Sequence, residues 1–133
     1  MISRIISGVI VATTTCLIGF SSLANEEPTL IKMHSTAYCL QGQTCTGEYV
    51  REGIAASGRK DLIGKTIILY QRLPNNELGK GLGIFEVIDS GCGENIIDVW
   101  MPDLDACQEW MDLVYTNNAN GRVYCQVIED CNG

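Results

Sequence analysis

Val87-Ile88-Asp89-Ser90-Gly91-Cys92-Gly93-Glu94-Asn95-Ile96-Ile97-Asp98-Val99-Trp100 reads as two short strands around a tight loop. Val87-Ile88 closes one β-branched run, and Ile96 to Trp100 forms the next. Ser90, Gly91, Gly93 and Asn95 between them are turn formers. Asp89 ends the first run and Asp98 lies inside the second, with eight residues between them. Period-two alternation places Ile96, Asp98 and Trp100 on one face and Ile97 and Val99 on the other. An acid flanked by Ile and Trp is partly desolvated, which disfavours its charged form and raises its pKa. A general acid working near neutral pH needs that property. A plainer alternative stands beside it: Asp89 opens an Asx-type turn into Ser90-Gly91, and Asp98 satisfies backbone donors.

Working outward, the same strand-and-turn grammar covers the rest of the chain. Lys32 to Leu40 reads as a strand of small residues, followed by a loop from Gln41 to Glu52 that holds Cys45. Gly53 to Ser57 is a short strand, and Thr66 to Gln71 (TIILYQ) is a strong one. Leu73-Pro74-Asn75-Asn76 opens a loop expected to end at Gly79, Gly81 and Gly83, and Leu82 to Ile88 resumes as strand. Pro102-Asp103 starts a helix with acids in its first turn, where the dipole favours them. Leu104, Cys107, Trp110, Met111 and Val114 give that helix one apolar face. Asn117 to Gly121 is a turn cluster, and Arg122 to Ile128 a closing strand. Six short strands and one helix in about 100 residues predict a mainly β fold, a small closed barrel that leaves no long sheet edge exposed.

The ends of the chain speak to its address. Arg4 is followed by an apolar stretch from Ile5 to Phe20, and Ser22 and Ala24 are small residues at the −3 and −1 positions of a cut after Ala24. That pattern predicts a signal peptide over residues 1–24, because the apolar run falls short of the roughly 20 residues a spanning helix needs. Residues 25–133 then form a single exported domain opening on a short acidic leader (25–31), with no membrane association after the cut. Six cysteines remain: Cys39, Cys45, Cys92, Cys107, Cys125 and Cys131. An even number in an exported chain suggests up to three disulfides, with 15 pairings that the sequence does not choose among. Removing Arg4 takes the net charge from −7 to −8. So acidic a chain is a poor partner for polyanions, and no nucleic-acid partner is expected.

Several chemistries are disfavoured outright. His34 is the lone histidine and no Cys-x-x-Cys pair is present, so neither a metal site nor a cofactor is expected. Without Gly-x-Ser-x-Gly or a second histidine there is no nucleophile constellation. His34, Thr36 and Tyr38 share one face of the first strand and could line a groove. Trp110 belongs to the helix stripe and so to the core, whereas Trp100 shares its face with Asp98 and is assigned to a cleft.

At these residues the chain resembles a known family. Ser35-Thr36-Ala37-Tyr38-Cys39, Thr46-Gly47, Gly53-Ile54-Ala55-Ala56, Ile63-Gly64-Lys65-Thr66-Ile67, Val87-Ile88-Asp89-Ser90-Gly91 and Ile97-Asp98-Val99-Trp100 resemble, in order and spacing, the 3D (three-aspartate) domain. The likeness covers about residues 33–129. It implies a six-stranded double-psi β-barrel related to the catalytic part of membrane-bound lytic transglycosylase A, to rare lipoprotein A-like proteins and to expansins. By that resemblance Asp98 and Asp89 match the family's catalytic acids, Asp89 orienting Asp98 or raising its pKa, with Ser90 in place of the family's Thr; the strand faces add Tyr38, Thr36 and Trp100, and Ser90 beside Asp89, as the expected substrate-binding residues. The implied reaction is cleavage of the N-acetylmuramic acid to N-acetylglucosamine bond of peptidoglycan with a 1,6-anhydro product. Asp98 would protonate the leaving oxygen and then take the proton of the muramyl 6-hydroxyl. The family's first aspartate falls here at Ser57-Gly58, with Asp61 four residues displaced, and the Ser90 to Ile97 loop is shorter than the family's. A barrel that binds wall glycan without cutting it is therefore the alternative expectation.

Overall fold

A computed structural model describes residues 29–130; the expected signal peptide, most of the acidic leader and Cys131 lie outside them. The strands are β1 (Ile31–Tyr38), β2 (Ile54–Ser57), β3 (Lys65–Arg72), β4 (Leu78–Asp89), β5 (Ile96–Trp100) and β6 (Arg122–Asp130). One α-helix, α1 (Leu104–Tyr115), lies between β5 and β6. The strands close into a mixed barrel in the order β1-β5-β2-β4-β3-β6. β1 runs parallel to β5 and β2 parallel to β4, while the other four neighbouring pairs are antiparallel. Two consequences follow from that order. β1 and β2 run oppositely with β5 between them, and β4 and β5 run oppositely with β2 between them.

The alternation read from the sequence is what fills the barrel. Met33, Ala55, Ile67, Leu69, Val87, Ile97, Val99, Val123 and Cys125 point inward and are buried together. Full burial of each larger aliphatic side chain contributes roughly 1.5–3 kcal/mol. Asp103 caps α1 by accepting from the Ala106 N–H at 2.8 Å, so the helix begins where its acidic first turn predicts. Trp110 reaches from α1 into this core, edge-on to Phe85 at 5.5 Å, and its indole N–H donates to Ser35 Oγ at 2.8 Å. The last turn of α1 is held by the buried Gln71, whose amide donates to Leu113 O at 2.9 Å and Thr116 Oγ1 at 2.8 Å. Leu113 O also accepts from the Thr116 N–H and hydroxyl, so the terminal carbonyl of the helix is held from both sides.

One expectation changes. Gly79, Gly81 and Gly83 do not end a loop but lie inside β4, which starts at Leu78. The reason is close approach: a Cβ on Gly79 would sit 2.8 Å from Gln71 Cβ, so only glycine lets β4 pass β3 there. Among the described residues no cysteine pair, drawn from Cys39, Cys45, Cys92, Cys107 and Cys125, stands at bonding distance.

Candidate functional site

The two acids sit on the outer face of the barrel, in one row across four strands. Thr36 of β1 pairs with Asp98 of β5, Asp98 pairs with Ala56 of β2, and Ala56 pairs with Asp89 of β4. Strict alternation would not have done this. Val87 points into the core, so Asp89, two residues on, would point inward as well. The register shifts between Ala55 and Ala56: Ala55 faces Val87 and Ala56 faces Asp89. Ile88 is thus the extra residue of a β-bulge, and the bulge turns Asp89 out to the face that holds Asp98.

The two carboxyl groups have different surroundings. Asp89 is a crossroads of donors: its Oδ1 accepts from the Cys45 N–H at 3.0 Å and the Ser90 N–H at 2.9 Å, and its Oδ2 from the Tyr38 hydroxyl at 3.3 Å. Asp89 is thus the acid that satisfies backbone donors, although its local bond goes to the next amide, Ser90, and not two residues on as in an Asx turn. Asp98 does not satisfy backbone donors in this way. It is half-buried, accepts from the Thr36 hydroxyl at 2.8 Å, and forms no salt bridge among the described residues. Burial pushes its pKa above the ordinary aspartate value, the Thr36 hydrogen bond pulls it back, and the negative charge of Asp89 adds to the rise. Tyr38 is raised too, first by burial and then by Asp89, so its hydroxyl stays a donor.

Beneath and beside the row lies a second apolar cluster of Ile54, Ile88 and Trp100, with Tyr38 and Val50 packed on it. The loop between β1 and β2 folds over this cluster: Leu40 O accepts from the Trp100 indole N–H at 2.8 Å, and the Cys45 amide reaches Asp89. Trp100 shares the face of Asp98, as alternation predicts, but is only 7% exposed. It is covered by the loop, which corrects its assignment to an open cleft. Tyr38 and Thr36 stand where expected, each touching one of the acids, and Ser90 is exposed beside Asp89. His34 is exposed opposite Ile96, one step further along the strand face, and no hydrogen bond ties it to the acids.

Cys92 is a further neighbour of the two acids. Burial raises its thiol pKa, with Asp98 and Asp89 adding to the effect, so it faces both acids as a neutral thiol. Its loop is pinned to the end of β2, where the Gly58 N–H donates to Gly93 O at 3.2 Å. A Cβ on Gly58 would lie 2.0 Å from Cys92 O, so the approach requires glycine. Ser57 is fully buried, its Oγ accepting from the Arg59 N–H at 3.1 Å, and Asp61 is turned outward to Arg59 at 2.8 Å. The row therefore carries two carboxyl groups, with neither Ser57 nor Asp61 supplying a third. No group of His, Cys, Asp and Glu suited to a metal ion occurs among the described residues.

No family model matches this chain, and comparison with curated proteins and with solved structures finds no match either.

Proposed function

We propose that this is an exported, wall-acting barrel of the double-psi type whose Asp98 serves as the general acid and base of a peptidoglycan lytic transglycosylase. The strand order supports the fold half of the reading, because two consecutive antiparallel strands twice enclose a third, β5 inside β1 and β2, and β2 inside β4 and β5. Disulfide stabilisation goes with this reading, since exported domains of this size commonly use it.

The observation that carries the catalytic half is the contrast between the two acids: Asp89 holds three donors, whereas half-buried Asp98 holds one hydroxyl and no cation. An acid so placed keeps its proton to higher pH and can hand it to a glycosidic oxygen. The bond from the sugar C1 to that oxygen then breaks, leaving oxocarbenium character on the muramyl ring. The Asp98 carboxylate takes the proton of the muramyl 6-hydroxyl as that oxygen bonds to C1, and the anhydro ring closes. No water attacks, so the second carboxyl need not act as the base of an ordinary glycosidase. Asp89 serves as a positioning residue, holding the loop and lending its charge to Asp98.

Purified protein incubated with peptidoglycan sacculi should release muropeptides with 1,6-anhydro ends, and Asp98→Asn should lower that release by about 10²–10⁴-fold. Equal release by wild type and variant would remove Asp98 from the role.

A second reading is a barrel that binds wall glycan and does not cut it. The buried Ser57 favours it, standing where the resembled family has its first aspartate. Binding to sacculi with no anhydro or reducing ends released by wild type would select it.

A further inference from the structure

The corner where β1 and β5 end brings two thiols together. Tyr38 pairs with Trp100 as the last rung of these parallel strands, and the Met101 N–H donates to Tyr38 O at 2.8 Å just beyond it. Cys39 is the next residue on the β1 side. On the β5 side the chain turns through Pro102 and the Asp103 cap into α1, so Cys107 lies in the first helical turn, its N–H donating to Asp103 O at 3.1 Å. Helical side chains lean towards the helix N-terminus, and this one leans back towards the rung. The thiols of Cys39 and Cys107 interact directly, and both are partly exposed. The other described thiols are engaged elsewhere: Cys45 Sγ at Ile88 O, Cys92 Sγ at Ile96 O, and Cys125 sealed inside the barrel.

We propose that Cys39 and Cys107 are a disulfide-forming pair that staples the start of the β1–β2 loop to α1. The consequence is local to the acidic face. Leu40, the residue after Cys39, accepts from Trp100, and Cys45, further along the loop, donates to Asp89. A link at Cys39 anchors the loop that makes both contacts. The chemistry is exchange with a small-molecule disulfide. One protein thiolate attacks a sulfur of that disulfide and expels one small thiolate; the second protein thiolate attacks the mixed disulfide and expels the other. The pair is oxidised, the small-molecule disulfide is reduced to two small thiols, and the two protons lost by the protein are taken up by the thiolates released. The pairing is independent of the catalytic reading, and an Asp98→Asn protein should form the same link.

The direct test is oxidation of the purified protein by oxidised glutathione at pH 8, alkylation of the remaining thiols, and non-reducing digestion after Lys, Arg and Glu. Fragment 33–48 carries Cys39 and fragment 95–109 carries Cys107. A Cys45→Ser variant leaves Cys39 as the lone cysteine of its fragment. The expected product in mass spectrometry is 33–48 joined to 95–109. Recovery of both fragments alkylated, or of either joined to a different cysteine, would overturn the assignment. As a second readout, reduction should lower the Tm of the oxidised protein by roughly 10 °C or more, given what a long-loop disulfide contributes. Cys107→Ser should abolish that difference; an unchanged difference in the variant would count equally against the pair.

Discussion

Asp98 and Asp89 face the same residue, Ala56, from opposite sides, because β2 runs between their strands and a bulge at Ile88 corrects the register. Their backbones are thus two ladder spacings apart, roughly 10 Å. Asp89 consequently acts on Asp98 through space, and no hydrogen bond links the two carboxyl groups.

The raised pKa of Asp98 has a signature in stability. A carboxyl whose folded pKa exceeds its unfolded value of about 3.9 binds more protons in the native state over that window. Its contribution is fully present below the unfolded pKa and is lost as the pH rises through the folded one. Asp98→Asn should flatten this part of the stability curve, while leaving the neutral-pH protein as stable as wild type or more so. Urea unfolding of both proteins from pH 3.5 to pH 7 measures it; parallel curves would contradict a raised pKa.

Thr36 is the hydroxyl that opposes this rise. Thr36→Val keeps the β-branch and removes the hydrogen bond, so the Asp98 pKa should move further up, at a cost of about 1 kcal/mol in stability at neutral pH. The alkaline limb of the activity profile, where Asp98 loses the proton it must donate, should move up with it. A downward shift would show that the hydroxyl does not stabilise the charged form.

Asp89 should behave as a clamp. Asp89→Ala leaves the Cys45 and Ser90 amides and the Tyr38 hydroxyl without their acceptor, and the β1–β2 loop should open. Limited trypsin digestion after Arg51 reads this directly: cleavage should quicken several-fold in Asp89→Ala and less in Asp89→Asn, which keeps one carbonyl oxygen. Equal rates in wild type and Asp89→Ala would show that the clamp does not hold the loop.

Gly58→Ala tests the packing of the loop that carries Cys92. The added methyl would meet Cys92 O at 2.0 Å, backbone that cannot rotate away. Destabilisation of roughly 2 kcal/mol or more is expected, on the scale of overpacking at a rigid site. A neutral substitution would mean the loop gives way.

The strands were legible because both faces of this barrel obey alternation. Ile96 to Trp100 was read to the residue, and the Asp103 cap was marked by its chemistry. What escaped reading depends on neighbours in space. The run Val87-Ile88-Asp89 carries no mark of a bulge; the extra residue is visible only once β2 is paired beside it. Gly79, Gly81 and Gly83 looked like punctuation because what decides Gly79, the close approach of Gln71, lies on another strand. Trp100 was placed on the correct face, yet nothing in the spacing of Leu40 or Val50 announces that their loop folds back and covers it. Arg72 went unnoticed for the same reason. It is buried without a carboxylate, donating to Val123 O at 3.2 Å, Met33 O at 3.0 Å and Asn76 Oδ1 at 3.2 Å.

The claim beneath all of this is that the side chain at position 98 keeps its proton above the ordinary aspartate range. Carbon-detected NMR titration of the Asp98 carboxyl in the purified protein measures that directly, with Asp98→Asn identifying the resonance. A midpoint clearly above about 3.9 is the expected result. A midpoint at or below that value would leave an ordinary carboxylate on the barrel face and no proton to give to a sugar oxygen.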